Sequence, residues 1–338
     1  MENWKFSLMA ASLTLAACAD LEPPVIGWGQ PETANTKSVV ALRTATGLTS
    51  LSVWIITSKD TTYISAPGSG LIAECTADDA RILATGNIDG QDGSLPPRCD
   101  TVTANLARMT TGHIACSATL NRILLPGANE LEIEVPRSIC KISLEKVENR
   151  LTEGAYAGKP IRIEKVFIVN GIGRYRVFGN GSQQRAPTAG RWWFNPSGIA
   201  ADSWDNTSTE GFMGAPDMSY ASLDQILAYE ESATLDINVY TCPNNTETDA
   251  WTGLDEGITP DTWTPRKTRM VLQCLIDGHR CYYPLTIDNL MANCHYIVRK
   301  LVITRYGTDS PDQPYDFATG TAAISLTNWD GLLISEII

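Results

Sequence analysis

Nine cysteines, three histidines and a few adjacent carboxylates are the residues of this chain that could do chemistry. His113, His279 and His295 have no second histidine at ligand spacing, and no close cysteine pair offers a structural zinc site. Asn87-Ile88-Asp89-Gly90-Gln91-Asp92 looks like the start of a calcium loop. It has Asp92 where the sharp turn needs glycine, and Arg98 where the closing bidentate glutamate belongs. Gly171-Ile172-Gly173 lacks the third glycine and the following helix of a dinucleotide site. Pro67-Gly68-Ser69-Gly70 is not a nucleophile elbow. Glu230 and Glu231 could serve glycoside hydrolysis, but neighbouring acids in a chain of net charge −12 read as solvated surface. Trp192 and Trp193, with Phe194, and Trp204 further on, are either a sugar-stacking platform or core. The sequence therefore assembles no catalytic set, no metal site and no cofactor motif. One thiol pair stands out. Asp277-Gly278 reads as a two-residue hairpin turn, which sets Cys274 and Cys281 opposite each other. They form either a disulfide or two buried free thiols.

Cys18 carries a different chemistry. A single Lys5 precedes an apolar run from Phe6 to Ala17, which ends in Leu15-Ala16-Ala17-Cys18. The run has the length of a signal-peptide core and falls short of the ~20 residues that span a membrane. Small residues directly before a cysteine resemble the bacterial lipobox, at which Cys18 becomes a lipid-bearing N-terminus. Export is the expectation, with residues 1–17 removed as signal peptide. The remaining 338 − 17 = 321 residues suffice for about two domains. At 43% hydrophobic and 19% charged residues, the chain is globular. Its negative charge argues against nucleic acid or anionic lipid as a partner.

The elements that must carry these residues are strands. Leu131, Ile133 and Val135 alternate with glutamates; Cys140, Ile142 and Leu144 alternate with polar residues, as do Leu235, Ile237 and Val239. The run from Ile161 to Val169 slips phase at Lys165, which predicts a bulge. Met270–Leu275 and Cys281–Ile287 frame the hairpin turn. Ile297–Thr304, Ala323–Thr327 and the apolar tail from Leu332 to Ile338 follow. Only Ser222–Glu231, with Leu223, Ile226 and Leu227 on one face, reads as a short helix. Many short strands between turns predict an all-β chain of sandwiches. Gly179–Gly190 reads as the hinge, and Cys18–Lys37 as an extended tether.

Several runs, in order, resemble the fimbrillin-like proteins of the Bacteroidales, the lipoprotein subunits of type V pili. In the second half these are Val239-Tyr240-Thr241-Cys242-Pro243-Asn244, Trp263-Thr264-Pro265-Arg266-Lys267-Thr268-Arg269 and Cys281-Tyr282-Tyr283-Pro284-Leu285. Asn293-Cys294-His295-Tyr296, Ile303-Thr304-Arg305-Tyr306-Gly307-Thr308 and Trp329 complete the set. In the first half, Pro136–Ile142 and Ile163–Asn170 resemble family strands, while residues 44–129 carry little resemblance.

The resemblance implies two tandem transthyretin-like β-sandwich domains, set here at 44–180 and 181–338, after a tether or removable strand at 18–43. It implies a fimbrial subunit used in surface adhesion, without catalysis. The alternative is a glycan-binding or pilus-anchoring surface lipoprotein that keeps its lipid. It also implies proteolytic removal of an N-terminal strand, which opens a groove for a strand from a neighbouring pilus subunit. Arg43, after Val39-Val40-Ala41-Leu42 and before Thr44-Ala45-Thr46-Gly47, is the candidate cleavage residue, with Lys37 as the fallback. Ile324–Ile338 is either the donated strand or an integral last strand. The outer membrane is the expected partner through lipid at Cys18 before processing, and the cell-surface fimbrium the expected destination.

Overall fold

The computed structural model describes residues 37–43, 48–68, 70–88, 102–172, 174–178, 192–193, 212–213, 217–247, 267–311, 313–317, 322–329 and 333–337. Cys18, the tether, Cys99, Trp204 and the expected hinge at 179–190 lie outside them. Among the described residues there is no α-helix, only strands and short 3-10 turns.

In the first half the strands are β1 (Lys37–Arg43), β2 (Ser50–Ile56), β3 (Thr61–Pro67), β4 (Gly70–Thr76), β5 (Asp79–Gly86), β6 (Thr103–Asn105), β7 (Cys116–Ile123) and β8 (Gly127–Glu132). They are followed by β9 (Cys140–Asn149), β10 (Ile161–Val169), β11 (Gly171–Ile172), β12 (Arg174–Arg176), β13 (Trp192–Trp193) and β14 (Phe212–Met213). The remainder are β15 (Tyr220–Leu227), β16 (Ser232–Thr241), β17 (Arg269–Ile276), β18 (His279–Thr286), β19 (Cys294–Ile303), β20 (Ala322–Asn328) and β21 (Leu333–Ile337).

Two sandwiches result. In the first, the sheet β4-β1-β8 faces the sheet β3-β2-β5-β7. Val40, Leu42, Leu71 and Ala73 of one sheet meet Val53, Ile55, Ile82 and Ala84 of the other in a single core. In the second, β15-β10-β17-β18 faces β16-β9-β19-β20-β21, and Ile142, Leu144, Val166, Leu272, Tyr296 and Val298 fill the space between. Burying each such aliphatic side chain contributes about 1.5–3 kcal/mol.

The join between the sandwiches differs from the expected one. β9 and β10, assigned by sequence to the first domain, pair with β16, β19, β15 and β17 of the second. The boundary thus falls between Glu132 and Cys140, not at residue 180. Local alternation locates a strand but says nothing about which distant strand shares its ladder. The join is also buried. β2 is buried from Leu51 to Ile55 because both of its faces are covered. Val53 and Ile55 point into the first core, whereas Trp54, with Leu83 of β5, belongs to the core of the second sandwich.

The helix expected at Ser222–Glu231 is also corrected. Tyr220–Leu227 is the edge strand β15, paired antiparallel with β10. Leu227 is buried but Ile226 is 59% exposed, so the apolar face a helix would have needed does not exist. Other local features agree with the sequence. The β10 ladders shift register between Ile163 and Lys165. Asp277 (φ 50°) and Gly278 (φ 82°) both lie in the left-handed region, the geometry of a type I′ turn. Gly307 passes so close to the Tyr282 backbone that a Cβ there has no room.

Candidate functional site

The site is strand β1 itself. β1 lies in the middle of its sheet, between β4 and β8. On one side all seven residues pair antiparallel with β4, from Lys37 opposite Thr76 to Arg43 opposite Gly70. On the other, Ser38 to Arg43 pair in parallel with Gly127 to Glu132 of β8. Alternation sends Ser38, Val40 and Leu42 into the core at 0–1% exposure. Outward, Val39 is 37% exposed and Lys37 forms a 3.3 Å ion pair with Glu74. That pair is open to solvent and adds little.

Without β1, β4 and β8 would stand about 9–10 Å apart, twice the ladder spacing, with a row of unmet backbone groups on each. The core beneath would be open to water where Val40 and Leu42 now sit. Such a slot can hold any extended segment that restores both ladders and presents matching side chains.

Arg43 is the last residue of β1. Residues 44–47, which follow it, lie outside the described set. The chain beyond is firmly held. Leu48 rests directly on Gly86, where a Cβ would collide with its methyls. Asn87, at φ 56°, accepts hydrogen bonds from the Thr49 amide at 3.0 Å and hydroxyl at 2.8 Å. Its own amide group donates to Ile114 O at 3.0 Å. A break after Arg43 would therefore separate β1 from a downstream chain that remains anchored. Lys37, the fallback, lies at the other end of β1, so a cut there would leave the strand attached.

The seven described thiols are buried. Cys274 lies opposite Cys281 in the β17–β18 ladder, as the turn required, but both are free thiols in the structure. Burial raises the Cys274 pKa well above the usual thiol range and pushes Cys281 and Cys116 up to about 11. Burial likewise raises Cys140, Cys242 and Cys294, with Cys140 lying in the field of the other two. None has the thiolate character that reactivity or metal binding needs. Among the described residues no group of histidines, cysteines and acids could hold a metal.

His295 was missed as a structural element by the sequence. Its Nε2 lies 2.5 Å from Ser143 Oγ, and that hydroxyl donates to Asn238 Oδ1 at 2.7 Å. The three residues tie β19, β9 and β16 together. Burial, then the Lys141 charge, lowers the His295 pKa to about 4. Its contact with Ser143 makes the group a cross-strand link. Glu230 and Glu231 stand at the β15–β16 turn. Glu230 pairs with Arg150 at 3.3 Å and Glu231 accepts from the Ala228 amide at 2.8 Å, which is turn-building work. Trp192 and Trp193 form β13, whose backbone pairs with β11 and β14. Trp329 stacks on Tyr240 at 5.7 Å and carries Arg137 over its face at 5.0 Å.

The fold and site define an all-β double sandwich whose first described strand is inserted centrally. No family model matches the chain, and no curated protein does. Solved structures do share the fold. A candidate cell adhesion protein from Bacteroides eggerthii matches with a TM-score of 0.59 at 12% identity, covering 89% of this chain and 98% of its own. One from Parabacteroides distasonis matches at 0.56 and 15% identity, covering 87% and 99%. A second from Parabacteroides distasonis matches at 0.53 and 14% identity, covering 89% and 99%.

Proposed function

We propose that this chain is a fimbrial subunit of the cell surface, acting in adhesion by polymerising and without catalysis. It is exported as a lipoprotein through Cys18 and held at the outer membrane until cleavage after Arg43. Loss of β1 then opens the slot between β4 and β8, and a strand from a neighbouring subunit fills it. The observation that carries the reading is the central position of β1, paired along its length on both sides and ending at Arg43. An edge strand could be lost without creating a demand for a replacement; this one could not. The cell adhesion proteins that share the fold support the surface role.

A second reading, a pilus-anchoring lipoprotein that keeps its lipid, is favoured by β21. That strand pairs with β20 in the chain's own sheet, so it is in use at home and not free for donation. Intact mass and N-terminal sequencing of protein taken from the cell surface separate the two. A start at Thr44 is expected. A start at Ser38 would move the cut to Lys37, and an acylated Cys18 would overturn maturation in favour of the anchor.

A further inference from the structure

The slot is not uniform along its length, and its polarity bears on what can enter it. At one end Ser38 is fully buried, and its Oγ accepts a 2.7 Å hydrogen bond from Asn129 Nδ2. Asn129 is fixed independently of β1. Its Nδ2 also donates to Leu125 O at 2.8 Å and Gly127 O at 3.2 Å, while its Oδ1 accepts from the Leu125 amide at 3.1 Å. Cys75 is the residue opposite Ser38 in the ladder. In the middle, Val40 faces Ala73, which leaves room for a branched side chain. At the far end Leu42 lies between Leu71 and Leu131.

We propose that this slot is read by a hydroxyl. It accepts an extended segment with Ser or Thr beside Asn129, a branched aliphatic two residues on and a leucine two beyond that. The segment comes from a subunit other than a second copy of this chain. The inference rests on the strand-exchange reading and adds to it the identity of the partner strand. An apolar side chain at the first position would forfeit the 2.7 Å hydrogen bond from the Asn129 amide, which would keep only its bonds to Leu125 O and Gly127 O. A slip of one residue would turn the wrong face inward.

The chain's own β21 fills at most two of the three positions: read in the direction of β1 with Ser335 beside Asn129, Ile337 takes the middle and β21 does not reach the Leu42 pocket. Shifted by two residues, Leu333, Ser335 and Ile337 place a leucine at the polar end and the serine in the middle. Ile334 and Glu336, the other face, bring a carboxylate inward. Read in reverse with Ser335 at the polar end, Gly331 falls where Leu42 sits and leaves that pocket empty. β20 has Ile324 and Leu326, but it is held between β19 and β21. The mismatches act as discrimination against self.

The test uses the full chain clipped after Arg43 by limited trypsin, with the clip confirmed by mass. Fluorescent peptides are then offered and their uptake read by anisotropy. A peptide of residues 37–43 and its Ser38→Thr form are expected to displace the resident strand with similar affinity. The Ser38→Ala form is expected to bind about tenfold more weakly. A peptide of residues 331–337 is expected not to enter at concentrations that saturate the parent. Equal uptake of the alanine peptide, or entry of the 331–337 peptide, would overturn the inference while leaving strand exchange intact. Failure of the parent peptide itself would overturn both.

Discussion

The two sandwiches use their terminal strands in opposite ways. The first takes the earliest described strand, β1, into the centre of a three-stranded sheet, where it holds β4 and β8 together. The second places the last strand, β21, at the edge of a five-stranded sheet, bonded on one side to β20. Losing an edge strand shortens a sheet, whereas losing a central one divides it. The first sandwich is therefore the half whose integrity depends on a single segment.

That contrast can be tested by damage of decreasing severity. Val40→Asp puts an unpartnered carboxylate at a position of 0% exposure and should cost more than about 4 kcal/mol. Hydrogen exchange should then show β4 and β8 opening while β9 and β19 stay protected; uniform loss of protection would mean that the halves are not distinct. Leu42→Ala should lower stability by about 2–4 kcal/mol, read as a shift of the urea midpoint. Acidification should weaken the second sandwich specifically. The folded His295 pKa of about 4 lies below its ordinary 6.5, so the unfolded chain binds the proton first. Stability then falls as the pH drops from about 6.5 towards 4, by about 1–2 kcal/mol after allowing for the ring's partial exposure. His295→Gln should flatten that slope. Removal of residues 333–338 should cost least, under about 1 kcal/mol, as expected for peeling a terminal edge strand. A loss exceeding that of Leu42→Ala would reverse the comparison.

The sequence disclosed what is local. The alternation at Cys140, Ile142 and Leu144, the phase slip at Lys165 and the Asp277-Gly278 turn each record a rule acting over a few residues, and each is present in the structure. Arg43, the basic residue after an apolar alternation, is the last residue of β1. What could not be read was pairing at long range. β9 lies in parallel beside β19, with His295 opposite Lys141, and nothing near either strand announces the other. The domain boundary failed for that reason. The helix at Ser222–Glu231 failed because spacing of three and four is ambiguous in a short apolar run, and β10 supplied a ladder that settled it. The hydroxyl contact of Ser38 was invisible because Asn129 is distant in sequence and only the fold brings them together.

The double pairing of β1 has a mechanical meaning as well. A segment in that position, tugged along its own axis, loads the ladders on both sides in shear. Its hydrogen bonds then share the pull and must fail together, whereas an edge strand peeled from its end gives way one bond at a time. A fibre joined through such slots would resist the drag of flowing liquid far better than its modest bond count suggests.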